Sequence, residues 1–368
     1  MNQHKKNILH ITYDMRIGGT EMVIKNIIEG SDNSVCMSIF CIEEQLGPWG
    51  QDLQQAGIKV STFARKDGFD TSLISAIKKH VKQHNIDIVH CHQYTPWVYG
   101  ALAVIGLSTR VIFTEHGRFY PDSSNWKRRF VNPLLAMMTH RLTAISDATK
   151  QALVKYEFLT ADKIDVIYNG IKGLEFNESA ALDIKTKLNI QTDDIVFCTI
   201  ARLDPIKNHS MMLKAFAEVT KKNPKTKLII VGDGELMPAL KLLIQTLDIE
   251  DSVILTGYIP YPKDYLAIFD IFLLSSLSEG TSMTLLEAMS LAKPCIVTDA
   301  GGNKEIVTHG ETGLVTDNGN MFQFADAMLA LANDKNTRER YGQNARVVFD
   351  EKYDVRHLSA AYANIYDH

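Results

Sequence analysis

Ser278-Glu279-Gly280-Thr281-Ser282-Met283-Thr284-Leu285-Leu286-Glu287-Ala288-Met289 is the stretch on which the reading of this chain turns. Two glutamates stand eight positions apart, a Gly-Thr-Ser turn follows the first, and an apolar helical pattern carries the second. Ile271-Phe272-Leu273-Leu274 just upstream reads as a buried strand. The segment is therefore a strand, a glycine turn and a helix start, and the free N–H groups of such a start attract anions. Glu287 falls about two turns further along, so the two carboxylates can reach different parts of one extended ligand. Sugar and ribose hydroxyls are natural partners for carboxylates beside an anion pocket.

Outward from this stretch, apolar runs alternate with amphipathic helical patterns from end to end, which predicts parallel sheets covered by helices on both faces. The strand candidates of the first half are residues 8–12, 35–41, 58–63, 86–91, 111–114 and 142–145. Those of the second half are 195–200, 227–231, 253–255, 271–274, 295–298 and 313–315. The two series break near Tyr168-Asn169-Gly170-Ile171-Lys172, where Asn-Gly signals a turn and a polar linker follows. At 368 residues the chain exceeds one ordinary core, so two domains are expected.

Composition is that of a globular protein, 45% hydrophobic and 22% charged, and a net charge of −4 argues against a nucleic-acid partner. Residues 1–172 hold 20 Lys+Arg against 16 Asp+Glu, while the remainder holds 19 against 27. A basic first half suits a phosphorylated or membrane-surface partner, and chance asymmetry explains it equally well. Five cysteines without a Cys-x-x-Cys pair read as buried, reduced thiols of a cytosolic protein. No signal-peptide pattern follows Met1, and the uncharged run 93–109 reads as a buried helix rather than a membrane span.

Ala201-Arg202-Leu203-Asp204-Pro205-Ile206-Lys207-Asn208 follows the first strand of the second half. Arg202 and Lys207, at a strand end and a helix start, can both face a diphosphate. The chain has no Asp-x-Asp pair to hold a divalent metal on that diphosphate, so the two cations are expected to do this work without metal. Met15-Arg16-Ile17-Gly18-Gly19-Thr20-Glu21 opens the first helix; it is not Gly-x-Gly-x-x-Gly, which disfavours a dinucleotide cofactor. His116 ends one strand of the first half, in Thr114-Glu115-His116-Gly117. His90 and His92 end another and lie on one side of it. Two histidines without a third ligand make a poor metal site, so packing and a role near the acceptor stay open for them. Trp126-Lys127-Arg128-Arg129-Phe130, with Arg118-Phe119-Tyr120-Pro121 before it, is basic and aromatic, and suits either anionic lipid or a solvated helix face.

In order and placement, these motifs resemble the retaining glycosyltransferases of family 4, with their Glu-x7-Glu motif, over nearly the whole chain. The resemblance implies an α/β GT-B fold: two Rossmann-like domains facing each other across a cleft. Residues 1–172 would bind the acceptor, 173–350 the nucleotide-sugar donor, and 351–368 would form a helix crossing back to the first domain. The activity implied is transfer of a hexosyl or N-acetylhexosaminyl group from a nucleoside diphosphate sugar, UDP by family frequency, to a hydroxyl acceptor. A lipid-linked glycan or polysaccharide intermediate at the inner face of the cytoplasmic membrane would be that acceptor.

By the same resemblance, Glu287 holds the ribose and Glu279 holds and orients the sugar. Gly280, Thr281, Ser282 and Met283, with Arg202 and Lys207, bind the diphosphate. Gly18, Gly19 and His116 approach the donor from the first domain. The loops at Gly234 and at Tyr258 and Ile259 flank the nucleotide, and Ala300-Gly301-Gly302 lies nearby. A front-face reaction and a double displacement through Glu279 both remain open. So do two other classes on this fold, a nucleotide-sugar 2-epimerase and a non-catalytic sugar-nucleotide-binding scaffold.

Overall fold

The structure is a computed structural model that describes residues 5–32, 34–117, 123–260 and 262–368. Arg118-Phe119-Tyr120-Pro121 lies outside the described residues. The chain forms two compact units: one runs to Gly170 and includes Val355–His368, the other is Ile171–Asp354.

The first unit holds β1 (Lys6–Thr12), β2 (Val35–Cys41), β3 (Lys59–Thr62), β4 (Ile88–His92), β5 (Arg110–Glu115), β6 (Arg141–Ala144) and β7 (Ile164–Val166). Their order across the sheet is β3-β2-β1-β4-β5-β6-β7. The second unit holds β8 (Ile195–Ile200), β9 (Thr226–Val231), β10 (Val253–Gly257), β11 (Ile271–Leu274), β12 (Cys295–Thr298) and β13 (Gly313–Thr316), in the order β10-β9-β8-β11-β12-β13. Every pairing between these strands is parallel. Parallel strands need long crossovers, and the helices of those crossovers cover both faces; hence the central strands are near-continuous apolar runs.

Helix starts follow local chemistry. Asp70 accepts a hydrogen bond from Ser72 N at the head of Thr71–Gln83, and Ser146 accepts one from Thr149 N at the head of Asp147–Glu157. Leu73, Ile77 and Val81, four apart, form the buried stripe of the first of these helices. β7 has no counterpart in the sequence reading. Three residues with a charged Asp165 at the centre make too short an apolar run, and the strand exists because it pairs with β6. The uncharged run at 93–109 is a helix, Tyr94–Ala103, with Trp97 and Tyr99 buried. Cys41, Cys91, Cys198 and Cys295 are buried and Cys36 is exposed, all as free thiols.

The last helix, Val355–Asp367, belongs to the first unit and buries Leu358, Tyr362, Ile365 and Tyr366. Tyr366 Oη lies 2.8 Å from His90 Nδ1, and Tyr362 Oη lies 3.1 Å from Thr114 Oγ1. Lys6 Nζ and Arg110 Nη2 donate to the Tyr366 carbonyl at 3.0 and 2.8 Å, two cations at the negative end of the helix. Gly30 permits this docking, because a Cβ there would stand 2.0 Å from Ser359 Oγ. Tyr366→Ala is expected to destabilise the first unit by about 3 kcal/mol, the cost of an emptied aromatic site. Urea unfolding should show an earlier transition for that unit and an unmoved one for the other.

Candidate functional site

In each sheet the strand order reverses once, between β1 and β4 and between β8 and β11. Neighbouring loops leave such a point in opposite directions and open a crevice beyond the strand carboxyl ends. The candidate residues concentrate there.

In the second unit the loop after β8 is pinned on both sides. Ala201 N donates to Val231 O at 3.1 Å and Leu203 N to Asp233 O at 2.9 Å. Glycine is required opposite: a Cβ on Gly232, at φ +145°, would sit 2.0 Å from Ala201 O, and one on Gly234 would sit 2.5 Å from Leu203 O. This packing accounts for Gly234 without a ligand. On the other side Leu277 N donates to Ile206 O at 2.7 Å and Ser275 Oγ to Lys207 O at 2.8 Å.

These clips bring Lys207 Nζ to 2.6 Å from Glu279 Oε1, and Ser276 Oγ donates to the same oxygen at 2.6 Å. Asp204 caps the short turn Pro205–Lys207 and accepts from Arg202 Nε at 2.7 Å, while the Arg202 side chain stays 75% exposed. The Glu279 backbone is gripped from behind: Gly302 N donates to its carbonyl at 3.1 Å, and a Cβ on Gly301 would lie 1.9 Å from that oxygen. Ser282 caps the helix Met283–Ser290, accepting from Leu285 N at 3.4 Å. Thr281 and Ser282 are buried beside it, with Gly280 and Met283 half-buried. Tyr258, exposed, and Ile259, half-buried, follow β10, two strands from β8.

Glu287 is half-buried and, among the described residues, its carboxylate has no hydrogen-bond or ionic partner. Burial pushes its pKa up to about 7. Ser276 and His209 escaped the sequence reading. His209 is buried with both ring nitrogens unpartnered among the described residues, and burial holds it down to about 4. Nothing in its motif, Lys207-Asn208-His209, marks it as different from a packing residue.

In the first unit Gly18 and Gly19 open the helix Gly19–Glu29. A Cβ on Gly18 would stand 2.4 Å from Glu21 Oε2, the far end of a side chain that can turn away, so this contact alone does not demand glycine. One on Gly19 would meet nothing within 4 Å; no protein contact demands glycine there. Glu21 is buried, and its pKa is raised to about 7 by burial.

The strand ends carry four histidines. The parallel register sets His10 opposite His90 and His92 opposite Thr114, so alternate residues of β1, β4 and β5 share one face. His10 Nδ1 lies 2.9 Å from His92 Nε2, and His92 Nδ1 lies 2.9 Å from His116 Nε2. His90 is held between Tyr366 Oη and Thr114 Oγ1, at 2.8 and 2.7 Å. Burial lowers all four pKa values, His10 and His116 to about 3. The sequence reading supplied two of a possible ligand set; folding adds His10, and ring nitrogens of His10, His90 and His92 come within 4.8 Å of one another. Only the register could have revealed His10.

Among the described residues, most buried polar side-chain atoms without a partner lie near these two crevices. They are His10 Nε2, Thr12 Oγ1, Gln93 Oε1 and His116 Nδ1 in one unit, and Thr199 Oγ1, His209 and Asn303 Oδ1 in the other. Buried polar atoms are normally paired, so this concentration sets the two strand-order reversals apart from the rest of the described fold.

Comparison with known proteins finds relatives of both units. The family model described as Glycosyl transferases group 1 matches residues 181–348, and that of Glycosyltransferase Family 4 matches residues 17–172. The chain is 31% identical over 275 residues to the UDP-Gal:alpha-D-GlcNAc-diphosphoundecaprenol alpha-1,3-galactosyltransferase of Escherichia coli, covering 72% of this chain and 70% of that protein. It is 27% identical to the N-acetyl-alpha-D-glucosaminyl L-malate synthase of Bacillus anthracis, over 81% and 79% of the two chains. Among solved structures, Anabaena Alr3699/HepE in complex with UDP superposes with a TM-score of 0.88 at 21% identity, over 98% of this chain and 99% of that one.

The state of Glu287 has a measurable consequence. With its folded pKa at about 7 against an ordinary 4.5, the folded protein holds more protons than the unfolded chain between those values. Its contribution to stability therefore falls as pH rises through that window. Glu287→Gln removes the penalty and should raise the melting temperature of the unliganded protein at pH 8 by about 2–4 °C. At pH 4.5 the two proteins should melt together.

Proposed function

The chain belongs to the glycosyltransferases of group 1 and family 4, with the GT-B fold, and from that membership we propose the following reaction. It is a retaining transfer of a hexosyl or N-acetylhexosaminyl group from a UDP-sugar to a hydroxyl of a lipid-linked glycan, without a metal. The observation that carries the reading is the Lys207–Glu279 pair at the β8/β11 reversal, beside the N-terminus of Met283–Ser290. A cation, a carboxylate and free helix N–H groups in one crevice match a diphosphate joined to a polyhydroxyl group.

In this reading the second unit holds the donor and the first takes the acceptor. Lys207 and the more exposed Arg202 neutralise the diphosphate, and the amides of Gly280, Thr281, Ser282 and Met283 add donors to it. As the glycosidic bond to the phosphate breaks, negative charge grows on the leaving oxygen, and these groups stabilise it. Lys207, drawn onto phosphate, releases Glu279 to accept from sugar hydroxyls and orient the anomeric carbon. Glu287, unpartnered and near neutrality, ionises when ribose hydroxyls donate to it. Tyr258 and Ile259 flank the base. His116, Gly18 and Gly19 are the first unit's candidates for contact with the donor, and of the two glycines Gly19 has the open Cβ position. The leaving phosphate takes the acceptor's proton. UDP as carrier is supported by the Anabaena complex, and the lipid-linked acceptor by the Escherichia coli relative's diphosphoundecaprenol substrate.

With EDTA in the buffer, UDP should bind the wild type, and Arg202→Ala should weaken it by about tenfold in calorimetry. Glu279→Gln should lower transfer by about 100-fold and leave UDP affinity nearly unchanged. Retained transfer in that variant would remove the role given to Glu279.

The acceptor side carries a membrane surface. Trp126, Phe130, Leu134 and Met137 recur at helical spacing on and before the helix Arg128–Met137, 70, 65, 62 and 77% exposed. Lys127 and Arg129 flank the stripe, also exposed, while Arg128 is paired with Glu157. An exposed apolar stripe edged by cations suits insertion among anionic headgroups. No helix among the described residues is long and apolar enough to cross a membrane. In vesicle co-sedimentation the double variant Phe130→Ser, Leu134→Ser should lose binding to anionic vesicles by about tenfold, since each apolar side chain contributes one to a few kcal/mol. Equal binding by both proteins would remove the surface from the proposal.

A further inference from the structure

The first unit turns from β4 into the helix Tyr94–Ala103 at one residue, Gln93, and does so in a conformation that side chains avoid. Its φ is +73° and its ψ 167°. That region belongs almost entirely to glycine, and holding a residue with a Cβ in it costs free energy. Phe158 and Asn208 also have positive φ, but with ψ of 34° and 41° they lie in the ordinary left-handed region that other residues visit. Neighbours on both sides impose the turn. His92 before it is fully buried, with its two ring nitrogens each 2.9 Å from another histidine. Gln93 N donates to Thr114 O at 2.9 Å, and Gln93 O accepts from Trp97 N at 3.2 Å. Trp97 is itself fixed, stacked on Phe113 and donating from Nε1 to Thr139 Oγ1 at 2.8 Å. A sharp, strained strand-to-helix turn of this kind lifts its side chain off the strand end, at the edge where the crevice of this sheet opens.

Stability alone would place glycine here. Glycine meets no steric penalty at these angles and is a good residue at the head of a helix, whereas the Gln93 side chain makes no capping bond. The carboxamide serves the fold in no other way. Its Oε1 is enclosed without a partner, and Nε2, on a partly exposed side chain, has none among the described residues either. Strain maintained for a side chain that the protein itself does not use points to a ligand. The surroundings narrow that ligand's chemistry. The amide is neutral, and burial lowers the pKa values of His92 and His116, at the ends of β4 and β5, so that these rings are neutral too. A neutral donor among neutral rings suits an uncharged hydroxyl better than a phosphate, which seeks a cation.

We propose that Gln93 is an acceptor-binding residue: its strained turn holds it off the end of β4, and its carboxamide N–H donates to a sugar hydroxyl of the acceptor in the β1/β4 crevice. This rests on the reading that the first unit takes the acceptor, and it involves that unit only. The turn costs stability and in return keeps a hydrogen-bonding side chain where glycine would leave bare backbone.

Two variants separate the backbone from the amide. Gln93→Gly relieves the turn and removes the amide, so its melting temperature should rise by about 2–4 °C. Gln93→Ala keeps a Cβ, and with it the strain, and should melt with the wild type. Calorimetry with UDP present, using N-acetylglucosaminyl diphosphate on a farnesyl chain as the acceptor probe, should show binding weakened by about tenfold in both variants, with the Kd for UDP unchanged. Farnesyl diphosphate, which lacks the sugar hydroxyls, should bind the three proteins alike. Unweakened probe binding in either variant overturns the proposal, and so does a Gln93→Gly protein that melts no higher than the wild type. Farnesyl diphosphate losing affinity in step with the probe also overturns it, since the amide would then serve the phosphates. A wild type that binds neither compound counts against the lipid-linked acceptor and removes the role of Gln93 with it, whereas a failure confined to the variants counts against Gln93 alone.

Discussion

Among the described residues all thirteen strands lie in parallel sheets, and this constraint governs the rest. Parallel pairing sends every strand's carboxyl end to the same edge of its sheet, and helical crossovers bury both faces. Chemistry is then confined to the loops at that edge, and above all to the point where strand order reverses. Arg202, Lys207 and Glu279 leave from β8 and β11, the two strands flanking one reversal. Gly18, Gly19 and His92 leave from β1 and β4, the two flanking the other. Residues 72 positions apart, such as Lys207 and Glu279, meet because adjacent parallel strands end side by side.

Burial then sets the chemical state of the groups so gathered. Glu21 and Glu287 are pushed up to about 7, and the clustered histidines are held neutral. A buried acid without a partner is unfavourable, and in the proposed reaction ribose hydroxyls offset that cost at Glu287. Lys207 and Glu279 follow a different logic. They satisfy each other, with Ser276 as a third member, and in the proposed reaction a phosphate competes for the lysine. The first arrangement costs free energy; the second keeps a partly buried charge pair satisfied.

Glycine plays two separable parts. Gly232, Gly234 and Gly301 are demanded by the chain itself, since any Cβ there would strike the backbone of Ala201, Leu203 or Glu279. Gly19 has open space where its Cβ would be. Spacing alone puts Gly19 and Gly234 in the same class of loop glycine, and only the packed backbone separates a structural requirement from room for a ligand.

Periodicity and turn chemistry made the architecture legible. Apolar runs of strand length between amphipathic stretches identified twelve of the thirteen strands among the described residues, because a strand buried on both faces is mostly apolar. β7 was illegible because an edge strand buries little and tolerates Asp165 at its centre. The Glu279 and Glu287 motif, Arg202 with Lys207, and His116 were legible because each stands at the end of a recognisable strand. Their partners were not. His10 meets His92 through the register of β1 on β4, Ser276 reaches Glu279 through the loop clips, and Tyr366 reaches His90 from the far end of the chain. Local sequence encodes which residues point off a strand end and in what chemistry. Which of them touch depends on strand order and register, which are set by the burial of the whole sheet and leave no mark at any single position.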